Sequence, residues 1–167
     1  MKPIETYKAM DIDDLERPSE DQKYPIGLEL CFVDPDTQTT KKFKYIQSHD
    51  ALTQYQPYIF DHTGIQLKTG APATGHAQLG VPQIAFTSGY YGFVQCYGES
   101  TVLKTVQTYA VGDHLEILNA GTALVVDGTS GATVQSAKSV GVSMTAGTTA
   151  QAITAFLFGY PADIAAT

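Results

Sequence analysis

The chain has 167 residues, which suffices for one domain or for one compact domain with an arm. Only 16% of the residues are charged, whereas soluble domains average about 25%. The net charge is −7 and Arg17 is the sole arginine. Because contacts to phosphates and bases need clustered Lys and Arg, this composition argues against nucleic-acid binding.

The two cysteines, Cys31 and Cys96, lie far apart in strand-like segments, and we expect buried free thiols. The N-terminal residues lack the apolar core of a secretory signal. No stretch approaches the ~18 apolar residues that cross a bilayer. We therefore expect synthesis in a reducing host cytoplasm and no membrane partner.

Residues 1–23 predict an extended N-terminal arm that is flexible in isolation. They hold seven acidic side chains, and Pro18 interrupts the only helix-like stretch, residues 11–17. Their apolar side chains are more numerous than a solubility tail needs, and an arm that docks onto a partner protein needs such anchors. The predicted anchors are Ile4, Tyr7, Met10, Ile12 and Leu15.

Residues 24–68 predict a module of β-strands. Apolar side chains alternate over residues 26–33, on Ile26, Leu28, Leu30 and Phe32. The turn signal Asp34-Pro35-Asp36 follows. Residues 41–47 then alternate aromatic side chains with lysines, which we expect on an exposed strand face, and residues 57–60 form another short strand. This module either forms its own domain or completes the C-terminal one.

Residues 69–80 are rich in Gly, Ala, Pro and Thr and predict a linker. Residues 81–167 contain short β-rich runs between glycine-containing turns, which indicates a C-terminal β-barrel domain or a sandwich. The predicted strands cover residues 83–86, 90–97, 101–108, 115–118, 123–126, 139–144 and 152–158. The sequence thus predicts an all-β fold, a small β-barrel or β-sandwich with an extended N-terminal arm.

Candidate chemistry is sparse. His49-Asp50 and Asp61-His62 each place an imidazole beside a carboxylate, but adjacent strand residues point to opposite faces, and both pairs fit turns better. The chain has no G-x-S-x-G, C-x-x-C, H-x-x-x-H or phosphate-loop motif. We therefore predict no catalytic, cofactor-binding or metal-binding residues, and a protein that is not an enzyme.

Ten tyrosines stand out in a chain without tryptophan. Tyrosine is common both at protein interfaces and in strands. Tyr24, Tyr90 and Tyr91 are predicted interface residues. Tyr90, Tyr91 and Tyr97 are also the residues with which a carbohydrate-binding module would stack on a sugar.

Several segments between residues 79 and 158 match sequence patterns of a known protein family. They are residues 80–85 (GVPQIA), 91–98 (YGFVQCYG), 111–115 (VGDHL) and 128–134, together with Ala146-Gly147 and Ala155-Phe156-Leu157. In these residues the chain resembles the small decoration, or cement, proteins of tailed bacteriophage capsids. Such proteins combine a strand of the form GFVQ-x-x-G with A-G-D-x-L, where Val111 replaces the alanine. Residues 24–60 are similar to the preceding module of phage capsid proteins.

The resemblance implies a structural virion protein on the capsid exterior that stabilises the head by bridging subunits of the major capsid protein. It also implies a homotrimer at three-fold positions, with an arm over neighbouring subunits. Strand addition by such an arm satisfies the backbone groups of a repeated lattice edge. The alternatives are another virion component, such as a tail or baseplate β module, or a carbohydrate-binding module.

Overall fold

The computed structural model of the protein describes residues 12–61, 63–65, 76–103, 108–117, 124–126, 139–148, 151–159 and 161–163. In these ranges the chain forms strands and one 3₁₀ helix, Ile12–Glu16, so the predicted all-β class is confirmed. The strands are β1 (Glu29–Val33), β2 (Thr40–Gln47), β3 (Tyr58–Phe60), β4 (His76–Gly80), β5 (Tyr91–Leu103), β6 (His114–Ile117), β7 (Leu124–Val126), β8 (Ser139–Ser143), β9 (Ala152–Phe158) and β10 (Pro161–Asp163).

The strands form two antiparallel sheets. Seven strands make the large sheet in the order β1-β2-β5-β9-β8-β6-β7, and three make the small sheet in the order β10-β4-β3. The arrangement is sandwich-like and not closed into a barrel, so the barrel alternative is wrong. An open sheet has two edge strands, and among the described residues those of the large sheet are β1 and β7.

The 13-residue strand β5 joins the two halves of the large sheet. Its first part pairs with β2, with Phe93 opposite Tyr45, and its second part pairs with β9, with Val102 opposite Ile153. The sequence predicted two strands separated by a turn at Gly98. Gly98 instead lies within β5 at φ +90 against the backbone of Thr40, where an L side chain would be strained and would clash.

A β-bulge accompanies this glycine. The register of β2 on β5 shifts between Lys42 and Phe43, and a bulge of this kind increases the local twist. The Gln95 side chain, only 2% exposed, donates from Nε2 to the carbonyl oxygens of Tyr97 (3.1 Å) and Glu99 (2.7 Å). These bonds satisfy backbone groups on either side of Gly98, so the GFVQ-x-x-G pattern describes a bent strand.

The core lies between the two sheets in two clusters. One cluster joins Leu79 of β4 to Val102, Leu115, Ile153 and Leu157 of the large sheet. The other joins Phe60 of β3 to Ile46, Val94 and the loop residues Leu52 and Phe86. Burial of these apolar side chains is the main force that holds the small sheet on the large one.

Residues predicted as separate modules share these sheets. Strand β2 of the 24–68 segment pairs with β5 of the 81–167 segment, and β3 pairs with β4. Residues 76–80, predicted as the end of a linker, are strand β4. Gly80 has a packing role there, because an added Cβ would lie 2.6 Å from a Phe60 ring carbon. Residues 69–75 lie outside the described residues.

Two further predictions were wrong. Residues 83–86 form no strand; Phe86 makes an isolated bridge to Leu52 and packs in the core, so the apolar pattern reflects burial. The lysines of β2 do not all face solvent. Lys44 is buried, its Nζ donates to Gln78 Oε1 at 2.9 Å, and it lies 4.0 Å from a Glu29 carboxylate oxygen. Gln78 of β4 lies on that side of β2.

We expect Gln95→Leu to lower the free energy of unfolding by about 1–3 kcal/mol, since it leaves two buried carbonyl groups without their side-chain donor. Chemical denaturation followed by circular dichroism measures the loss. Gln22→Leu, a change of the same type at an exposed position, is the control and should stay within about 0.5 kcal/mol of the parent. Equal stability of the two variants would contradict this account of β5.

Candidate protein interface

The turn after β1 sets the position of this edge strand. Asp34 Oδ1 accepts hydrogen bonds from the backbone amides of Asp36 (2.9 Å) and Thr37 (3.2 Å), and Oδ2 pairs with Lys41 Nζ. The hydrogen bond from Lys41, followed by the two amide bonds, lowers the pKa of Asp34 to about 2. The turn therefore fixes the register in which Val33 lies opposite Thr40.

Strand β1 lies at the end of the large sheet and has β2 as its one neighbour among the described residues. Leu28 O accepts from Tyr45 N, and Asp34 N donates to Thr39 O. Antiparallel pairing alternates along a strand, so Leu30 and Phe32 also bond to β2, while the backbone N–H and C=O groups of alternate residues point away from it. Those residues are Glu29, Cys31 and Val33.

The same three residues have exposed side chains. Val33 is 63% exposed, and Glu29 and Cys31 are also exposed, whereas Leu30 and Phe32 are half-buried. The prediction that both thiols are buried was therefore wrong for Cys31, because it lies on an edge strand. Cys96 is buried, and burial raises the pKa of its thiol to about 11. Both thiols are free.

A second apolar surface lies beside β8 and β6, toward the opposite end of the sheet order, on residues 110–113 and 143–148. We name it the Val111 end. Val111 is 66% exposed and Met144 is 41% exposed. Bonds from Gly112 N to Ser143 O and from Ser143 N to Asp113 O, both 2.8 Å, hold the two segments side by side.

The Val111 end has few charged side chains and is therefore weakly hydrated. Its one ionisable side chain is Asp113, whose Oδ2 accepts from the backbone amide of Ala110 at 2.7 Å. The other residues are Val, Gly, Ser, Met, Thr and Ala. Exposed large apolar side chains with few charges around them are typical of the centre of a protein contact.

Of the residues that the sequence predicted as interface residues, those that the structure describes do not lie at the Val111 end. Ile4, Tyr7 and Met10 lie outside the described residues. Ile12 begins the 3₁₀ helix, and Leu15 in that helix is half-buried. Tyr90 packs against the core cluster of Phe60 and Phe86. The structure brings two of the predicted residues together, because the rings of Tyr24 and Tyr91 lie 5.3 and 6.4 Å from that of Tyr45.

Residues 12–24 are held against their own chain. Ser19 and Tyr91 exchange two backbone hydrogen bonds of 2.8 Å, so this segment adds a short bridge to the edge of β5. Lys23 N donates to Tyr45 Oη at 3.0 Å, and Tyr24 Oη donates to Asp14 Oδ2 at 2.6 Å. The Tyr24 ring covers the face of Tyr45 and Phe93 that points away from the small sheet. The predicted arm thus docks in part on its own sheet.

One cleft of about 270 Å³ lies beside β1 and is lined by Glu29, Lys42, Gln78, Cys96, Tyr97, Phe158 and Gly159. Lys42 Nζ lies 5.3 Å from the centre of the Tyr97 ring. Cys96 is protonated at neutral pH, and a protonated thiol is a weak nucleophile. Cys96 is therefore not an activated nucleophile in this cleft.

Within the ranges that the structure describes, no group of three His, Cys, Asp or Glu side chains could hold a metal ion. No helix among these described residues is long and apolar enough to cross a membrane.

The exposed residues Val33, Val111 and Met144 were missed by the sequence reasoning. A signal existed for Val33, because the apolar face of residues 26–33 consists of even-numbered positions and leaves Cys31 and Val33 on the other face. No comparable pattern marks Val111. Val33 is exposed because β1 is an edge strand, whereas Val111 lies in the turn before β6 and Met144 lies just after β8.

A scan against protein-family models and a search of curated proteins find no match to this chain. The resemblance to phage decoration proteins stays a prediction.

We expect Tyr24→Ala to lower the free energy of unfolding by about 1–3 kcal/mol, because it uncovers the Tyr45 and Phe93 rings. Tyr24→Phe keeps the ring and removes the hydroxyl that bonds to Asp14, and should cost about 1 kcal/mol or less. Thermal denaturation of both variants measures the difference. Equal losses would show that the hydrogen bond, and not ring packing, attaches residues 12–24.

Asp34→Asn should reduce stability at neutral pH and remove part of the acid sensitivity of the protein. A carboxyl group whose folded pKa lies below its unfolded value of 3.8 stabilises the fold above that value and loses its contribution as the pH falls toward about 2. The stability gap between parent and variant should therefore close between pH 4 and pH 2. Asp36→Asn removes a charge from the same turn as the control, and a gap independent of pH would refute the assignment.

Proposed function

We propose that this chain is a structural virion protein that binds the exterior of a tailed-phage capsid and stabilises the head by bridging subunits of the major capsid protein. The observation that carries the proposal is the Val111 end, where two large apolar side chains are exposed and Asp113 is the one ionisable side chain. The buried centre of a protein contact is more apolar than the rest of the protein surface and is poor in charged residues. We assign this end to the contact with the capsid.

The rest of the chain supports a binding role. A surface poor in charge repels a protein neighbour weakly and loses little solvation when it is covered. Repeated copies on a lattice also bind through many equivalent contacts, so that a modest contact per copy suffices. The segments 111–115 and 146–147, which carry part of the resemblance to decoration proteins, lie together at the Val111 end.

A sugar-binding role receives less support. The Tyr91 ring lies parallel to Tyr45, at 15° and 6.4 Å, and the Tyr97 ring contacts Phe156 at 5.3 Å. Tyr90 packs on the core. These rings are engaged within the chain and do not form one platform. A tail or baseplate module would use the same kind of protein contact as a decoration protein and is separated from it by location alone.

The test is cosedimentation of the purified chain with the procapsids and expanded heads of the phage that encodes it. We expect binding to expanded heads, and Val111→Lys should weaken it roughly tenfold or more, which is about 1.4 kcal/mol or more of binding free energy. Val33→Lys introduces the same charge at an equally exposed valine on β1 and is the control. It should bind heads with the affinity of the parent chain when the chain is dilute.

Binding to neither form of the head, or full binding by the Val111 variant, would overturn the assignment. Immunogold labelling of intact virions separates the remaining alternative. Label over the head agrees with decoration, and label confined to the tail identifies a tail or baseplate component.

A further inference from the structure

Among the residues that the structure describes, nothing pairs with the outer edge of β1. Natural proteins shield such edges with lysine, proline, a bulge or a covering segment, because the free backbone groups pair readily with another strand. Strand β1 contains neither lysine nor proline, and its ladder with β2 runs without a break from Glu29 to Val33. Its outward-pointing backbone groups lie beside the exposed side chains of Cys31 and Val33.

We infer that β1 pairs with β1 of a second copy of this chain, antiparallel and across a two-fold axis at Cys31. In this register Glu29 lies opposite the second copy's Val33, and Leu30 lies opposite its Phe32. Because Glu29, Cys31 and Val33 direct their backbone groups outward, these three positions form the new hydrogen-bonded pairs. The large sheets of the two copies then join into one continuous sheet.

The strand that pairs with β1 belongs to a second copy of this chain, because β1 is complementary to itself. The half-buried side chains of Leu30 and Phe32 meet their counterparts on one face, which continues the contact of Phe32 with Phe43 (6.1 Å between ring centres). No like charges lie opposite each other. The two Glu29 side chains fall at opposite ends of the pairing, about 13 Å apart along the strand direction.

This inference does not depend on the proposed function, since β1 and the Val111 end are separate surfaces. A two-fold contact gives dimers, whereas the resemblance to decoration proteins implies trimers, so the mass of the assembly distinguishes them. Where both proposals hold, β1 links copies that are bound at neighbouring positions of the lattice.

Sedimentation velocity over a range of concentrations tests the pairing. We expect a monomer–dimer equilibrium. Val33→Pro removes one outward N–H and keeps the bonds of β1 to β2, so it should weaken the dimer roughly tenfold or more. Val33→Lys should act in the same direction, because lysine protects edges. Val111→Lys changes the other exposed valine and should leave the dimer unchanged.

Cys31 gives an independent readout of the register. Hydrogen-bonded partners in antiparallel strands have Cα atoms about 5.5 Å apart, so a short bismaleimide should join the two Cys31 thiols of a dimer. Cys96, which is buried and has a pKa of about 11, should not react on the same time scale. Cys31→Ser should abolish the cross-link and leave sedimentation unchanged.

The inference is wrong if the parent chain stays monomeric up to millimolar concentration, or if it forms a trimer that neither Val33 variant weakens. A cross-link that persists in Cys31→Ser would also refute the register. If the parent chain is monomeric and the Val33 variants lose binding to heads, the edge pairs with a foreign strand, which overturns self-pairing and moves the capsid contact to β1.

Discussion

The bend in β5 is the constraint on which the rest of the fold depends. Before Gly98 the strand pairs with β2, and beyond it with β9, so one strand carries the hydrogen bonds of both halves of the large sheet. The buried amide of Gln95 bonds to carbonyl groups on both sides of the bend. Without these bonds the curvature would leave polar backbone groups buried and unpaired, which is costly in a low-dielectric interior.

The two faces of the large sheet are more fully covered near β5 than toward its ends. At β2 and β5 the small sheet covers one face and residues 12–24 cover the other, so that Lys44, Tyr45 and Ile46 are all buried. Toward the ends of the sheet this double cover stops. The exposed apolar residues Val33 and Val111 lie on the edge strand β1 and in the turn before β6, and both proposed contacts use side chains that no described segment covers.

Local patterns predicted much of the secondary structure. The predicted strand at residues 152–158 has the bounds of β9, and the predicted strand at residues 41–47 matches β2 to within one residue. In β9 the buried and less buried side chains alternate, whereas in β2 three successive residues, Lys44, Tyr45 and Ile46, are buried. The errors have physical causes. Gly98 looks like a turn residue but relieves a close backbone approach, and Gly80 looks like a linker residue but leaves room for the Phe60 ring.

The sequence by itself determined the all-β class, most strand positions and the shortage of chemically active groups, because these depend on side-chain period and residue type. Only the tertiary structure decided which strand lies at an edge, that Tyr24 packs on Tyr45, and that Cys31 is exposed while Lys44 is buried. Each of these depends on pairing between residues far apart in the chain. The period of a strand shows which side chains share a face, but it does not show what covers that face.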